Sequence, residues 1–174
     1  MTLFKTIQQA QKQLQNVVSP TPLIENLNFS EELGATVLLK REDLQVVRSY
    51  KIRGAYNKMC TLTAPEKEHG IICASAGNHA QGVAFSCHLL KIMGKIYMPK
   101  TTPKQKVKQV QLFGKNYVEI VLTGDTFDDA YAKAVADATL NNKAFIHPFD
   151  DLEVIAGQGT VGLEILDTYK EPID

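Results

Sequence analysis

The sequence predicts an α/β fold: an open, twisted parallel sheet with helices on both of its faces. Two observations lead to this prediction. From about Gly70 onward, short apolar segments alternate with amphipathic segments of about 10 to 15 residues, a pattern that is typical of βαβ units. The 174 residues are 44% hydrophobic and 22% charged, which is the composition of a globular protein with a sizeable core.

The first forty residues are predicted to form two helices and one strand. Apolar residues line one side of the segment from Leu3 to Val18 and glutamines line the other, which indicates an amphipathic helix. The prolines of Ser19-Pro20-Thr21-Pro22 end that helix. Ser30 to Leu33 is predicted to be a short helix closed by Gly34. The β-branched and apolar segment from Ala35 to Lys40 is predicted to be a strand.

The next helix is predicted to begin with Ser49 as its N-cap, since a serine hydroxyl can accept an unpaired backbone N–H. Gly54 is a poor helix former, so we expect another part of the chain to approach the backbone closely there. A buried stripe at helical spacing follows, formed by Ile52, Ala55, Tyr56, Met59 and Cys60.

Lys51 lies in the first turn of this predicted helix. The positive end of the helix dipole and the nearby charge of Arg53 should both disfavour the ammonium form of its side chain. A neutral lysine amine is a nucleophile that can form a Schiff base with a carbonyl compound. The alternative, which composition alone favours, is a solvated surface lysine.

The remainder of the chain is predicted to continue the alternation. The predicted strands are Gly70 to Ala74, Lys95 to Met98, Tyr117 to Leu122 and Ala144 to Ile146. The predicted helices are His79 to Lys91, a helix capped by Thr102 and opened by Pro103, a helix capped by Gly124-Asp125-Thr126, and Asp150 to Tyr169. In such a sheet, ligands bind beyond the carboxyl ends of the strands.

A turn of small residues, Ser75-Ala76-Gly77-Asn78-His79, joins the strand at Gly70 to Ala74 to the following helix. Backbone N–H groups at a helix start can bind an anion such as a phosphate or a carboxylate. An ordinary tight turn with an asparagine cap explains the same residues equally well.

Gly157-Gln158-Gly159-Thr160-Val161-Gly162 matches the pattern G-x-G-x-x-G of dinucleotide-binding sites. The context argues against that function, because the motif should lie at the first strand-turn-helix of a βαβ unit. The capping residues from Asp150 to Glu153 place these glycines inside a helix, where they are expected to serve close helix packing.

Several classes of site are not indicated. The formal net charge is zero, which argues against a nucleic-acid or membrane-surface binder. The histidines have no metal-ligand spacing, so we expect no metal. Three widely spaced cysteines and the lack of a signal-peptide pattern or long apolar run favour a reduced, cytoplasmic protein.

Four sequence blocks together resemble the threonine dehydratase (threonine deaminase) family, whose members are fold-type II enzymes of pyridoxal 5'-phosphate. The resemblance extends from about Thr21 to Leu166, and the first block looks more like the biosynthetic type. The blocks are Lys40-Arg41-Glu42-Asp43-Leu44-Gln45, Ser49 to Ala55, Ser75 to Gly82, and Ala156 to Thr160.

The resemblance implies a role for each site residue. Lys51 would hold pyridoxal 5'-phosphate as a Schiff base and then act as the catalytic base. Tyr50 would lie against the cofactor ring, and Asn78 would reach the cofactor's 3'-hydroxyl. The turn Ser75, Ala76, Gly77, Asn78 and His79 would bind the carboxylate of an amino-acid substrate. The implied reaction is β-elimination, which converts L-threonine to 2-oxobutanoate and ammonia for isoleucine biosynthesis.

Two departures from the family pattern qualify this prediction. Serine racemases carry a second serine at the position of Ala76, so racemisation is not expected. The family's glycine-rich phosphate-binding loop does not occur in the chain, so we expect an N-terminal fragment that binds cofactor weakly by itself. The resemblance further implies that residues 1–45 and 151–174 belong to a large cofactor domain and residues 46–150 to a small α/β domain.

Three alternatives remain open on the sequence alone. The chain could come from a serine dehydratase or another fold-type II enzyme. It could be a nucleotide-binding module built on Gly157 to Gly162, or a non-catalytic folded fragment. For the complete protein, the resemblance implies a homo-oligomer that binds no nucleic acid and no membrane.

Overall fold

A computed structural model describes residues 2–173 of the chain. Its strands are β1 (Leu23–Glu25), β2 (Leu38–Lys40), β3 (Ile71–Ala74), β4 (Gly94–Met98), β5 (Val118–Leu122) and β6 (Ala144–Phe145). Its α-helices are α1 (Leu3–Gln13), α2 (Leu27–Leu33), α3 (Lys51–Thr61), α4 (Ala64–His69), α5 (Asn78–Leu90), α6 (Lys104–Gly114), α7 (Phe127–Leu140) and α8 (Leu152–Thr168). Two short 3-10 turns, Glu42–Leu44 and Lys115–Tyr117, complete the described structure.

The centre of the structure is a four-stranded sheet in the order β5-β4-β3-β6. All three pairings in this sheet are parallel, which confirms the predicted α/β fold with a parallel sheet. β3 lies between β4 and β6 and is buried along its whole length, as expected for a parallel strand covered on both faces.

Successive residues of β3 point to opposite faces of the sheet, and each face is covered by helices. Ile71 and Cys73 belong to the larger cluster of buried residues, together with residues of α3, α5 and α6. Ile72 and Ala74 belong to a second cluster with Ala130, Ala134 and Ala138 of α7. Helices therefore cover both faces, as the alternating pattern predicted.

The amino-terminal part of the chain differs from the prediction at α1 and at the first two strands. α1 ends at Gln13, and the chain then turns at Asn16, which has a left-handed backbone conformation (φ 64°). The predicted strand is shortened to β2, which pairs antiparallel with β1. The sequence analysis missed β1, because three residues between Pro22 and Asn26 are too few to show a period.

The caps of the later helices were predicted with mixed success. Thr126 caps α7, accepting the backbone N–H of Asp129 as expected. The predicted cap Thr102 is wrong, because Pro103 occupies the N-cap position of α6 and the Thr102 hydroxyl is buried without a hydrogen bond. Helix α4 was missed, although Thr63 and Glu66 form a complete capping box at its start.

Helices α3 and α8 cross at two glycines. A Cβ atom added to Gly54 would lie 2.8 Å from the backbone oxygen of Val154. One added to Gly157 would lie 2.3 Å from the backbone oxygen of Arg53. The close approach predicted at Gly54 is confirmed, and the neighbour is helix α8.

Within residues 2–173, no helix is both long and apolar enough to cross a membrane.

Candidate active site

The strand order places the expected ligand-binding crevice between β3 and β6. The chain leaves β3 toward β4 on one side, and it later returns to the other side of β3 through β6. In parallel sheets, such a switch in strand order opens a ligand-binding crevice beyond the carboxyl ends of the strands. The turn that starts at Ser75 follows β3, as predicted. The segment Ile146–Asp151 follows β6 and forms the other wall, which we call the β6 loop.

Lys51 is the first residue of α3, and its side chain reaches the β6 loop. Its Nζ atom donates a hydrogen bond to the carbonyl oxygen of Pro148 at 2.7 Å. The same Nζ atom lies 5.2 Å from the ring centroid of Tyr50. Gln158 of α8 donates to the same Pro148 carbonyl at 3.4 Å. Lys51 is therefore half-buried and directed at the crevice, and it is not a solvated surface lysine.

The start of α3 and the first turns of α5 touch through their backbones. A Cβ atom added to Gly82 would lie 3.0 Å from the backbone nitrogen of Ile52 and 3.1 Å from the carbonyl oxygen of Lys51. A residue with a side chain would push these helices apart. Gly82 thus brings the turn after β3 next to Lys51, although these sequence blocks are about thirty positions apart.

The amino-terminus of α5 carries no side-chain cap. Gly77 occupies the N-cap position, and its own N–H donates to the Ser75 hydroxyl at 3.2 Å. Asn78 is the first residue of the helix and is exposed. This disfavours the alternative of a tight turn capped by asparagine. The first backbone N–H groups of a helix lack intrahelical partners, so the start of α5, at Asn78 and His79, is suited to an anionic group.

His79 behaves differently from the other residues of the turn. Its side chain is only 3% exposed, and its Nε2 atom lies 3.0 Å from the carbonyl oxygen of Ile146. Burial, together with the positive charges of Lys51 and His147, lowers its pKa from 6.5 to about 4, although the bond to Ile146 opposes this. The neutral ring therefore donates Nε2–H to the β6 loop. Its Nδ1 atom is buried without a partner in residues 2–173.

We expect the stability of the chain to fall as the pH falls from 6.5 to 5. As the pH falls, the unfolded state takes up a proton at His79 near pH 6.5, whereas the folded state takes it up only near pH 4. Protonation therefore favours the unfolded state between these two values. The contribution of His79 is complete above pH 6.5 and is lost toward pH 4. Between pH 6.5 and 5 the free energy of unfolding should fall by about 2 kcal/mol, measured by urea unfolding. His79→Gln should flatten this dependence, and an unchanged slope in that variant would contradict the assignment.

Arg53 does not contribute to the site in the predicted way. Its side chain is fully buried and forms ion pairs with Glu42 and Glu164. Arg53 was expected to act as a second positive charge near Lys51, but these two carboxylates neutralise it. No sequence signal identified the pairing, because Glu42 and Glu164 are distant in the chain.

The glycines of the segment Gly157 to Gly162 lie inside α8. A nucleotide-binding motif would place them in a turn between a strand and a helix, so the structure contradicts the nucleotide-binding alternative. Gly157 packs against the backbone of α3, as predicted, and Gly159 lies against the Ile7 side chain of α1.

The described residues offer neither a metal site nor a reactive thiol. Among residues 2–173, no group of three or more histidine, cysteine or acidic side chains could hold a metal ion. Cys60, Cys73 and Cys87 are free thiols, and burial raises the pKa of each. Buried thiols with raised pKa values are poor nucleophiles, so Lys51 is the strongest candidate nucleophile.

One protein-family model matches most of the chain. Residues 14–174 match the model of the family described as "Pyridoxal-phosphate dependent enzyme". The chain is 57% identical over 169 residues to the biosynthetic L-threonine dehydratase IlvA of Bacillus subtilis. That match covers 97% of this chain and 40% of the relative. The corresponding protein of Mycobacterium tuberculosis is 45% identical over 168 residues, which are 97% of this chain and 39% of the relative. The chain thus spans about 40% of the length of these relatives.

Solved structures of the same family share the fold. The processed form of threonine deaminase isoform 2 from Solanum lycopersicum superposes with a TM-score of 0.89 at 42% identity. This match covers 97% of the chain and 48% of that structure. A serine racemase from maize gives the same TM-score at 29% identity, over 96% of the chain and 50% of that structure. The predicted fold-type II architecture is confirmed by these neighbours.

Proposed function

The chain belongs to the family of pyridoxal-phosphate dependent enzymes, and from that premise we propose that the complete gene product deaminates L-threonine to 2-oxobutanoate and ammonia. The observation that carries the proposal is the placement of the Lys51 amine at the crevice between β3 and β6. The names of the relatives support the choice of substrate.

The residues at the crevice suit the cofactor chemically. Lys51 supplies the amine that an aldehyde group requires, and its Nζ atom donates to the Pro148 carbonyl, a contact that can be exchanged. Tyr50, which is 41% exposed beside that amine, is available to cover the cofactor ring. Asn78 is exposed at the start of α5 and would reach the cofactor's hydroxyl group. We propose these three residues as the cofactor contacts of the chain.

The substrate carboxylate is proposed to bind at the uncapped start of α5. The turn Ser75, Ala76, Gly77, Asn78 and His79 leads into the positive end of the helix dipole, where the N–H groups of the first helical residues have no intrahelical partner. His79 connects this turn to the β6 loop, because its ring is hydrogen-bonded to the carbonyl oxygen of Ile146. Because the ring is neutral, it adds no positive charge beside the Lys51 amine.

In the proposed reaction, the Lys51 amine removes the proton from the substrate Cα atom. Held by Lys51, Tyr50 and Asn78, the cofactor would supply a sink for the electron pair released at the substrate Cα atom. The Nζ atom of Lys51 takes the Cα proton as a general base. The β-hydroxyl then leaves with a proton as water. The enamine that remains takes up water and yields 2-oxobutanoate and ammonia.

We also propose a domain division, a cellular location and an oligomeric state. Residues 1–45 and 151–174 are assigned to a large cofactor domain and residues 46–150 to a small domain, since the parallel sheet lies entirely between Ile71 and Phe145. A cytoplasmic location is supported by the free thiols. The complete product is proposed to form a homo-oligomer, as the family resemblance implies.

Borohydride reduction should fix the cofactor to Lys51 in the complete gene product. Reduction of a Schiff base forms a stable secondary amine, so the cofactor remains on the lysine that held it. Peptide mapping by mass spectrometry is expected to find the label on Lys51 alone. Label on another lysine, for example Lys58 of the same helix, would exclude the proposed role.

The same preparation distinguishes threonine from serine as substrate. Threonine yields 2-oxobutanoate and serine yields pyruvate, and the two products separate by chromatography. A higher kcat/KM for serine would assign the product to the serine dehydratase alternative. Production of D-serine would contradict the expectation drawn from Ala76.

A further inference from the structure

Arg53 lies at the centre of a buried polar network behind α3. Its Nε and Nη2 atoms donate to the two oxygens of Glu42, each at 2.8 Å. Its Nη1 and Nη2 atoms donate to the two oxygens of Glu164 at 2.6 and 3.0 Å. Nη1 also donates to the hydroxyl of Thr160 at 3.1 Å. All five N–H donors of the guanidinium therefore have a partner.

The network is electrically balanced. Lys40 pairs with Glu164, so two cations face two carboxylates. Thr21 donates to Glu42 at 2.6 Å. Burial opposes ionisation of Glu42, but the bonds from Arg53 and Thr21 outweigh it and lower the pKa of that carboxyl. The network joins α3 to α8, to the end of β2 and to the 3-10 turn at Glu42.

This network acts on the first turn of the helix that carries Lys51. Residues two positions apart on an α-helix point about 200° apart, so Arg53 lies on the side of α3 that faces away from the Lys51 side chain. The glycine crossing at Gly54 and Gly157 holds the same turn against α8. Neither contact touches the crevice, but together they determine how α3 is rotated about its axis.

Stability alone does not account for such a network. Apolar residues of similar volume often stabilise a protein as well as buried ion pairs do, because charges lose their hydration on burial. A guanidinium with two bidentate carboxylates does specify orientation, since a rotation of α3 would break several directed bonds at once.

We propose that Arg53 is a positioning residue, which fixes the rotation of α3 so that the Lys51 amine is held at the crevice between β3 and β6. This inference rests on the proposed function of Lys51. A lysine at position 53 keeps the positive charge but has three donors and no planar fork. Arg53→Lys therefore removes the directed hydrogen bonds of the guanidinium and keeps the charge of the network unchanged.

The test compares wild type, Arg53→Lys and Lys95→Gln in the complete gene product. Lys95 is the matched control because it forms an ion pair with Asp137 of α7, on the opposite face of the sheet. Small misplacements of reacting groups reduce rates by up to about 100-fold, so Arg53→Lys should lower kcat by about 10- to 100-fold with little change in KM. Lys95→Gln should lower the melting temperature and leave kcat within about twofold.

Hydrogen exchange of the cofactor-free protein provides a second measurement that does not depend on activity. Arg53→Lys should speed exchange in the first turns of α3, and Lys95→Gln should not. Unchanged kcat and unchanged exchange in Arg53→Lys would overturn the inference, as would an equal loss of kcat in both variants. If Arg53→Lys does not fold, Glu164→Gln, which retains the Glu42 pair, replaces it with the same expected results. If wild type carries no borohydride label on Lys51, the proposed function fails, and the exchange data still decide whether Arg53 holds the turn.

Discussion

Lys51→Ala should abolish threonine deamination by the complete gene product while leaving the fold intact. The variant removes the amine that is proposed both to hold the cofactor and to take the Cα proton. General acid-base catalysis alone contributes about 100- to 10,000-fold, so kcat should fall by about a thousandfold or more. Formation of 2-oxobutanoate from saturating threonine measures the loss.

The fold should survive because Lys51 makes few structural contacts. Its amine is bound to the Pro148 carbonyl, and its half-buried stem lies at the edge of the core. Lys58 of the same helix is the matched control, since it lies about two turns further along α3 and its amine forms an ion pair with Asp151 at the end of the β6 loop. Lys58→Ala should lower stability slightly and keep kcat. A Lys51→Ala variant with more than about one tenth of wild-type kcat would exclude Lys51 as the catalytic base.

The sequence predicted those features that depend on neighbouring residues. The alternation of strands and helices predicted the parallel sheet, because the period of the apolar residues is a local property. Thr126 was identified as a cap for the same reason. The close approach at Gly54 followed from the poor helix propensity of glycine and needed no knowledge of what approaches.

The features that were missed depend on contacts between distant segments. The β6 loop borders the crevice only because β6 returns to the far side of β3, and nothing local to Ala144 or Phe145 encodes that order. Arg53 was interpreted by its charge alone, since its partner Glu164 lies 111 positions away in the chain. For His79, the turn was predicted correctly, but burial of its ring against Ile146 was not.

Two glycine substitutions in α8 should change stability in opposite directions. At Gly157, a Cβ atom would lie 2.3 Å from the backbone oxygen of Arg53 and 2.8 Å from the Cα atom of Gly54. At Gly162, no atom lies within 4 Å of the added Cβ. Both residues are inside the same helix, so the intrinsic gain in helix propensity, about 1 kcal/mol, is the same for both.

Gly157→Ala should therefore lower the free energy of unfolding by about 3 kcal/mol, because the neighbouring atoms are backbone and α3 must move as a unit. Gly162→Ala should raise it by about 0.5 to 1 kcal/mol. Urea unfolding followed by circular dichroism measures both changes. Gly157→Ala displaces α3, which carries Lys51. In the folded fraction of this variant, borohydride labelling of Lys51 should therefore also be reduced. Equal stability of the two variants would show that α3 and α8 do not cross at Gly54 and Gly157.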